Sequence, residues 1–162
     1  MNLQRLLFGA HPRRTVARLF LLVAIALATF TWILVPVRAE GIIMLPTYRS
    51  GSLKFVNRIA FVRREPRRAD IVAIRLAGPR VLYIKRVVGL PGERVAIREG
   101  VVHINDAPLA EPYVRHRRPW DIPEVTLGHD EYFLIGDNRG MLPHDHDFGR
   151  AARSRIIGKV MF

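Results

Sequence analysis

The segment Tyr83-Ile84-Lys85-Arg86-Val87-Val88 sets two cations inside a stretch that otherwise reads as a buried strand. On an extended chain Lys85 and Arg86 point to opposite faces, so one can be solvated while the other points inward. A lysine in apolar surroundings loses its preference for the charged form, and a neutral amine near pH 7 is a general base toward a serine hydroxyl. Edge-strand charges use the same residue types, and composition alone favours that plainer reading. A second cluster, His144-Asp145-His146-Asp147, gathers imidazoles and carboxylates, both competent metal ligands. If extended, it puts the two histidines on one side and the two aspartates on the other; as a solvated polar loop it needs no metal, and none is expected. The chain has no cysteine, which excludes a disulfide framework, a thiolate metal site and a cysteine nucleophile.

The elements that must position these residues are mostly short strands divided by Gly and Pro. Leu53–Val62, Asp70–Leu76 and Val81–Val88 are rich in Val, Ile, Phe and Tyr. Arg94–Arg98 and Val101–Ile104 flank Glu99-Gly100 as a hairpin, and Asn105-Asp106 makes a further turn. Tyr132–Ile135 is a short strand ending at Gly136-Asp137-Asn138, Arg155–Phe162 closes the chain as a strand, and Pro-rich Glu111–Glu124 reads as a surface loop. The expected fold class is mainly β, a coiled sheet or partly closed barrel.

Ahead of this lies Leu19–Val37, 19 residues without a charge. As a helix it is roughly 28 Å long, close to the ~30 Å hydrocarbon core of a bilayer. Arg5, Arg13, Arg14 and Arg18 precede it with no acidic residue, which orients the N-terminus to the cytoplasm and exports the residues after Val37. Val37-Arg38-Ala39 offers a conceivable signal-peptide cut, but a signal-peptide apolar core runs ~7–15 residues and this one is longer. The expected organisation is a basic flank over 1–18, a transmembrane helix over 19–37 and an extracytoplasmic β domain over 38–162.

The whole chain has 162 residues and a net charge of +12. Such a charge invites a nucleic-acid reading. Four of those twelve positives belong to the flank, however, and the eight on the β domain are scattered. Basic runs beside an anchor meet anionic lipid headgroups more often than DNA, so membrane lipid is the expected partner and nucleic acid is not.

Three ordered blocks reverse the plain reading of Lys85. Gly41-Ile42-Ile43-Met44-Leu45-Pro46-Thr47 comes after the anchor, then Lys85-Arg86-Val87-Val88-Gly89-Leu90-Pro91-Gly92-Glu93, then Gly136-Asp137-Asn138-Arg139. The hairpin over 99–109 and the terminal Ile157-Gly158-Lys159-Val160 fit the same order. In this order and spacing the chain resembles the type I signal peptidase family, membrane-anchored Ser/Lys endopeptidases, from the anchor to its last residue. The resemblance implies a mixed β fold, no cofactor, and removal of signal peptides from exported preproteins at the outer face of the cytoplasmic membrane. Shallow pockets would accept small residues in an Ala-x-Ala pattern. It assigns Lys85 as general base, Met44, Pro46 and Thr47 to the turn that holds the nucleophile, and Gly136, Asp137 and Asn138 to the wall around the lysine.

Two blocks depart from the family. Its nucleophilic serine corresponds to Ile43, which has no nucleophilic atom, and Gly41 stands where some relatives carry a helping hydroxyl. Ser50 and Ser52 lie past the Pro46-Thr47 turn and suit turn chemistry rather than rescue. In the last block the family's Ser, Asp, Ser and Arg correspond to Leu142, His144, Asp145 and His146. Expected activity is therefore absent or impaired, with a non-catalytic binder of exported or conjugation-related precursors as the alternative. A self-cleaving repressor-type Ser/Lys protease is disfavoured by the anchor.

Overall fold

The computed structural model describes residues 12–75, 82–146 and 148–161. Helix α1 spans Pro12–Ala28 and continues as a π-helical turn over Thr29–Ile33. Pro12 suits the first helical position, where its missing N–H leaves no bond unmade. Residues 13–33 form a helix long and apolar enough to cross a membrane. Leu19, Phe20, Leu22 and Trp32 are all exposed on it, so its apolar surface is not covered by the rest of the protein.

The apolar run expected as one helix over 19–37 is divided. Thr29 and Thr31 turn their hydroxyls back to the carbonyls of Ile25 and Leu27, a bond that loosens the helical ladder where the π turn begins. Pro36 cannot continue a helix, and Leu34–Arg38 becomes strand β1, paired antiparallel with β2 (Leu53–Asn57) from Leu34↔Asn57 to Arg38↔Leu53. As an edge strand β1 tolerates the proline's missing donor.

The remaining strands are β3 (Ile71–Ile74), β4 (Tyr83–Gly89), β5 (Arg94–Arg98), β6 (Val101–Ile104), β7 (Ala107–Pro108), β8 (Ile122–Thr126), β9 (Glu131–Ile135), β10 (Gly149–Ala152) and β11 (Ile156–Met161). They form two antiparallel sheets, one in the order β1-β2-β11-β3-β4-β9-β10 and one in the order β7-β6-β5-β8. The mainly-β expectation holds; neither sheet closes into a barrel. The expected strand over 53–62 stops at Asn57, whose side chain accepts the Ile59 N–H at 3.1 Å and starts a turn. The expected loop over 111–124 gives its last residues to β8. Leu76, Val81, Asp147 and Phe162, at the ends of expected segments, lie outside the described residues.

Strand β4 is the hinge of the packing. Val87 joins a core with Phe61, Val72, Ile74, Tyr132, Leu134, Ala151 and Ile156. Its neighbour Val88 points the other way, into a core with Val95, Ile97, Val102, Trp120, Leu127, Phe133 and Ile135. A strand covered on both faces has few positions for a charge, and β4 carries two.

Candidate active site

The turn between β1 and β2 presents residue 43. Ala39 N donates to Ser52 O at 2.9 Å and Gly51 N to Ala39 O at 2.7 Å, closing the base of the turn. Gly41 takes φ +84°, a conformation that costs glycine little, and its N–H donates to Ser50 Oγ at 3.1 Å. Ser52 Oγ donates to Arg49 O at 2.7 Å, so both serines serve the turn. Beyond Gly41 the chain turns through Ile42–Thr47, with Tyr48 N donating to Met44 O at 2.9 Å and Met44 buried beneath. The Leu45–Pro46 peptide is cis.

The segment after β9 clamps this turn. Asn138 donates from its backbone to Ile43 O at 2.9 Å and from Nδ2 to Ile42 O at 3.0 Å. Gly136 lies directly beneath: a Cβ there would fall 2.3 Å from Ile43 Cγ2, 2.5 Å from Ile43 O and 2.7 Å from His146 Cε1. No side chain fits between these groups, which gives Gly136 a steric reason to be glycine.

Lys85 and Arg86 come from β4, in register with Val72 and Ile71 of β3. Both are buried, Lys85 to 1% exposure and Arg86 to 8%, so neither takes the solvated face that alternation left open. Arg86 is compensated inside: Nε and Nη2 donate to the two carboxylate oxygens of Asp137 at 2.8 and 2.6 Å, and Nη1 to Ala69 O at 2.9 Å. Its guanidinium lies 3.9 Å from the centre of the Tyr113 ring. Burial works against this charge, but the hydrogen bonds and charge of Asp137 outweigh it and hold the guanidinium above its ordinary pKa. Thr47 Oγ1 donates to the same carboxylate. Asp137 therefore braces Arg86 and the turn rather than touching the lysine's wall alone.

Behind this pair sits another. Arg139 donates from Nε to Gly136 O at 2.9 Å and from both Nη atoms to Glu111, and all of it is buried. Tyr113 donates to Glu111 Oε1 at 2.9 Å; burial, helped by that carboxylate, pushes its hydroxyl well above the ordinary phenol value.

Lys85, Ile43, Gly41 and Met44 line one groove of about 570 Å³, together with Val37–Glu40, Tyr48 and Leu82–Ile84. Pro46 lies outside it, against a second hollow of about 290 Å³ shared with Leu45, Arg115, His116, Asp137 and Asn138. The structure thus brings a buried amine and residue 43 to the same groove. An amine of this kind can take a proton from a hydroxyl; the isoleucine offers none.

Within the cluster, residues 144–146 are not an extended strip. Pro143–Asp145 is a 3-10 turn that exposes His144 and Asp145, and among the described residues no group of three metal-ligating side chains forms. His146, expected in a solvated loop, is instead 2% exposed, edge-on to Trp120 at 5.1 Å and packed on Phe148 at 6.1 Å. Neither ring nitrogen has a hydrogen-bond partner among the described residues. Burial, then the charges of Lys85 and Arg139, lower its pKa to about 3, against a smaller opposing effect of the backbone at Asn138 and His146. Arg86 had a signal in its place beside Lys85, and His146 was singled out only as part of a polar cluster; Glu111 and Tyr113 had no signal, because their partners are brought in by the fold.

Residues 13–162 match the family model described as signal peptidase, peptidase S26. The chain is 32% identical over 151 residues to signal peptidase I of Bacillus amyloliquefaciens, covering 86% of this chain and 78% of that protein. It is 31% identical to signal peptidase I T of Bacillus subtilis (strain 168), with the same coverage. Among solved structures, a signal peptidase I from Enterococcus faecalis V583 is 27% identical, covering 60% of this chain and 98% of that one, with a TM-score of 0.47.

Proposed function

The chain belongs to the signal peptidase (peptidase S26) family, and from that premise we propose that its groove receives the signal-peptide end of exported preproteins while cleavage is absent or severely impaired. The observation that carries this reading is Ile43, which lines the groove with Lys85 and is wedged against Gly136. With serine at position 43, Oγ would bond to the scissile carbonyl carbon and give its proton to Lys85 Nζ. The C–N bond would then break, and the departing amine would take that proton. Isoleucine has no atom for the first of these steps. Removing a serine nucleophile costs roughly 10⁶ in kcat where it has been measured.

The organisation of the chain supports the same proposal. The apolar part of the helix beyond Arg18 anchors it in the cytoplasmic membrane, the basic end with Arg5, Arg13, Arg14 and Arg18 stays in the cytoplasm, and the β domain faces outward. Exported preproteins and membrane lipid are its partners. The groove beside Ile43 remains open, with Val37, Ala39, Met44 and Ile84 among its walls beside Arg38 and Glu40, which favours a second reading of the same site: a binder of signal peptides that does not cut them.

The test compares the unaltered full chain with Ile43→Ser and Ile43→Ser/Lys85→Ala on a preprotein carrying Ala-x-Ala. The expected order is no cleavage, cleavage raised about 10³-fold or more, and no cleavage again. Retained signal-peptide binding by the uncut complex marks the binder; Lys85-dependent cutting by the unaltered chain overturns the proposal.

A further inference from the structure

The turn that presents residue 43 borders two recesses, and the chemistry above uses one of them. Gly41, Ile43 and Met44 face the groove with Lys85, while Leu45 and Pro46 face the second hollow, of about 290 Å³. Asn138 links the two. It lines the hollow and donates to the carbonyls of both Ile42 and Ile43. Pro46 follows Ile43 by three positions, so their Cα atoms stand no more than about 11 Å apart.

The free charge on the hollow's lining is of one sign. Arg115 and His116 line it and are exposed, and neither side chain makes a hydrogen bond or ion pair among the described residues. Asp137, the acid on the same lining, is buried with its carboxylate given to Arg86 and Thr47. Arg115 belongs to Arg115-His116-Arg117-Arg118, a stretch with no acidic residue. Glu111, a few positions earlier, is taken by Arg139.

The stretch is held at both ends. Val114 and Trp120 are buried, and Arg118 donates from its backbone to Arg139 O at 3.1 Å and from Nε to Gly140 O at 2.7 Å. A cation carried on an anchored loop gives up less freedom on meeting an anion than one on a loose tail.

A polypeptide with its signal-peptide end in the groove and its scissile carbonyl at residue 43 continues past Leu45, Pro46 and Asn138. An extended chain advances about 3.3 Å per residue, so it comes to the hollow about two to four residues beyond the scissile bond. We propose that the hollow is a specificity-determining subsite for the mature part of the preprotein, where Arg115, with His116, takes an acidic side chain. The inference rests on the reading of the groove as the seat of the signal-peptide end. An anionic lipid headgroup carries the same charge, but the hollow's place along the turn favours a segment continuous with the one in the groove.

The test measures peptide binding by the unaltered full chain, held in bilayer discs of neutral lipid at low salt. The peptides share a signal-peptide end with Ala-x-Ala, and a single Asp or Lys is walked through the second to fourth mature residues in an Asn background. At one of these positions Asp should bind about 3- to 10-fold more tightly than Lys, by a margin that shrinks as salt is added. Arg115→Ala should remove most of the difference and Arg115→Glu should invert it, with unchanged melting temperature because the side chain is exposed and unpaired.

Equal affinity for Asp and Lys at all three positions overturns the inference, and so does a preference that Arg115→Glu leaves in place. Loss of the preference in discs that include anionic lipid gives the hollow to headgroups and overturns it as well. Failure of the groove reading looks different. Peptides with Leu-x-Leu in place of Ala-x-Ala would then bind equally well, while the preference for Asp over Lys persists and the acidic subsite stands.

Discussion

Asp137 receives Arg86 through two hydrogen bonds and Thr47 through a third, all with its carboxylate out of solvent. Removing one partner of such a pair leaves a buried charge alone. Asp137→Ala is expected to lose about 3–5 kcal/mol in urea unfolding, whereas Thr47→Val loses about 1 kcal/mol. Gly136→Ala forces Ile43 and His146 apart and should cost about 1–3 kcal/mol, with Ile43→Ala recovering part of it because the tightest contact is with Cγ2. If Gly136→Ala unfolds at the same urea concentration as the unaltered chain, the packing described around residue 43 is wrong. Of these residues, Lys85 and Ile43 were legible from motif order, since each sits in a block with fixed neighbours. The bracing of Arg86 was not, because the acceptor lies 51 positions away and alternation speaks only of faces. His146 was read as loop because its neighbours in sequence are polar and its neighbours in space, Trp120 and Gly136, are supplied by the fold.

Strand β4 has Val87 in one core and Val88 in the other, and pairs with β3 and β9. An element covered on both faces and bonded on both edges opens only with the whole domain. Amide hydrogen exchange should therefore be slowest in β4 and β9, and markedly faster in the edge strands β1 and β10. Exchange in β4 as fast as in β1 would contradict this packing. The hairpin Arg94–Arg98/Val101–Ile104 was readable to the residue, because Glu99-Gly100 takes positive φ at both positions, as a two-residue hairpin turn requires. Strand β1 was hidden, because Leu34–Val37 is as apolar as the helix before it and hydropathy does not distinguish a lipid-facing turn from a paired edge strand. Pro36 was the signal that could have divided them. Strand β10, Gly149–Ala152, lacks the β-branched residues that mark strands and owes its form to pairing with β9.

At the scale of the whole molecule the +12 charge is divided between a basic N-terminal end, which runs into the first turns of the helix, and a β domain behind it. In spheroplasts, protease added outside should digest the β domain and leave the N-terminal flank intact; the reverse pattern contradicts the proposed orientation. Acid should destabilise the chain through His146. Its pKa in the folded chain, about 3, lies below the ordinary 6.5, so between these values the unfolded chain binds a proton that the folded chain does not. The ring's contribution is complete above pH 6.5 and is lost as pH falls toward 3, by about 1.4 kcal/mol per unit at most. Asp70, whose carboxyl is held below its ordinary value by Arg64, Lys159 and the Arg67 backbone despite the opposing effect of burial, adds a loss of the same sign at lower pH. His146→Phe should flatten the slope of unfolding free energy between pH 6 and 4, and an unchanged slope would place the titration elsewhere. The most direct test of the account remains cleavage of an Ala-x-Ala preprotein by the full chain. The unaltered chain should leave it uncut, and Ile43→Ser should cut it in a manner abolished by Lys85→Ala. Efficient, Lys85-dependent cleavage with isoleucine in place would contradict the account.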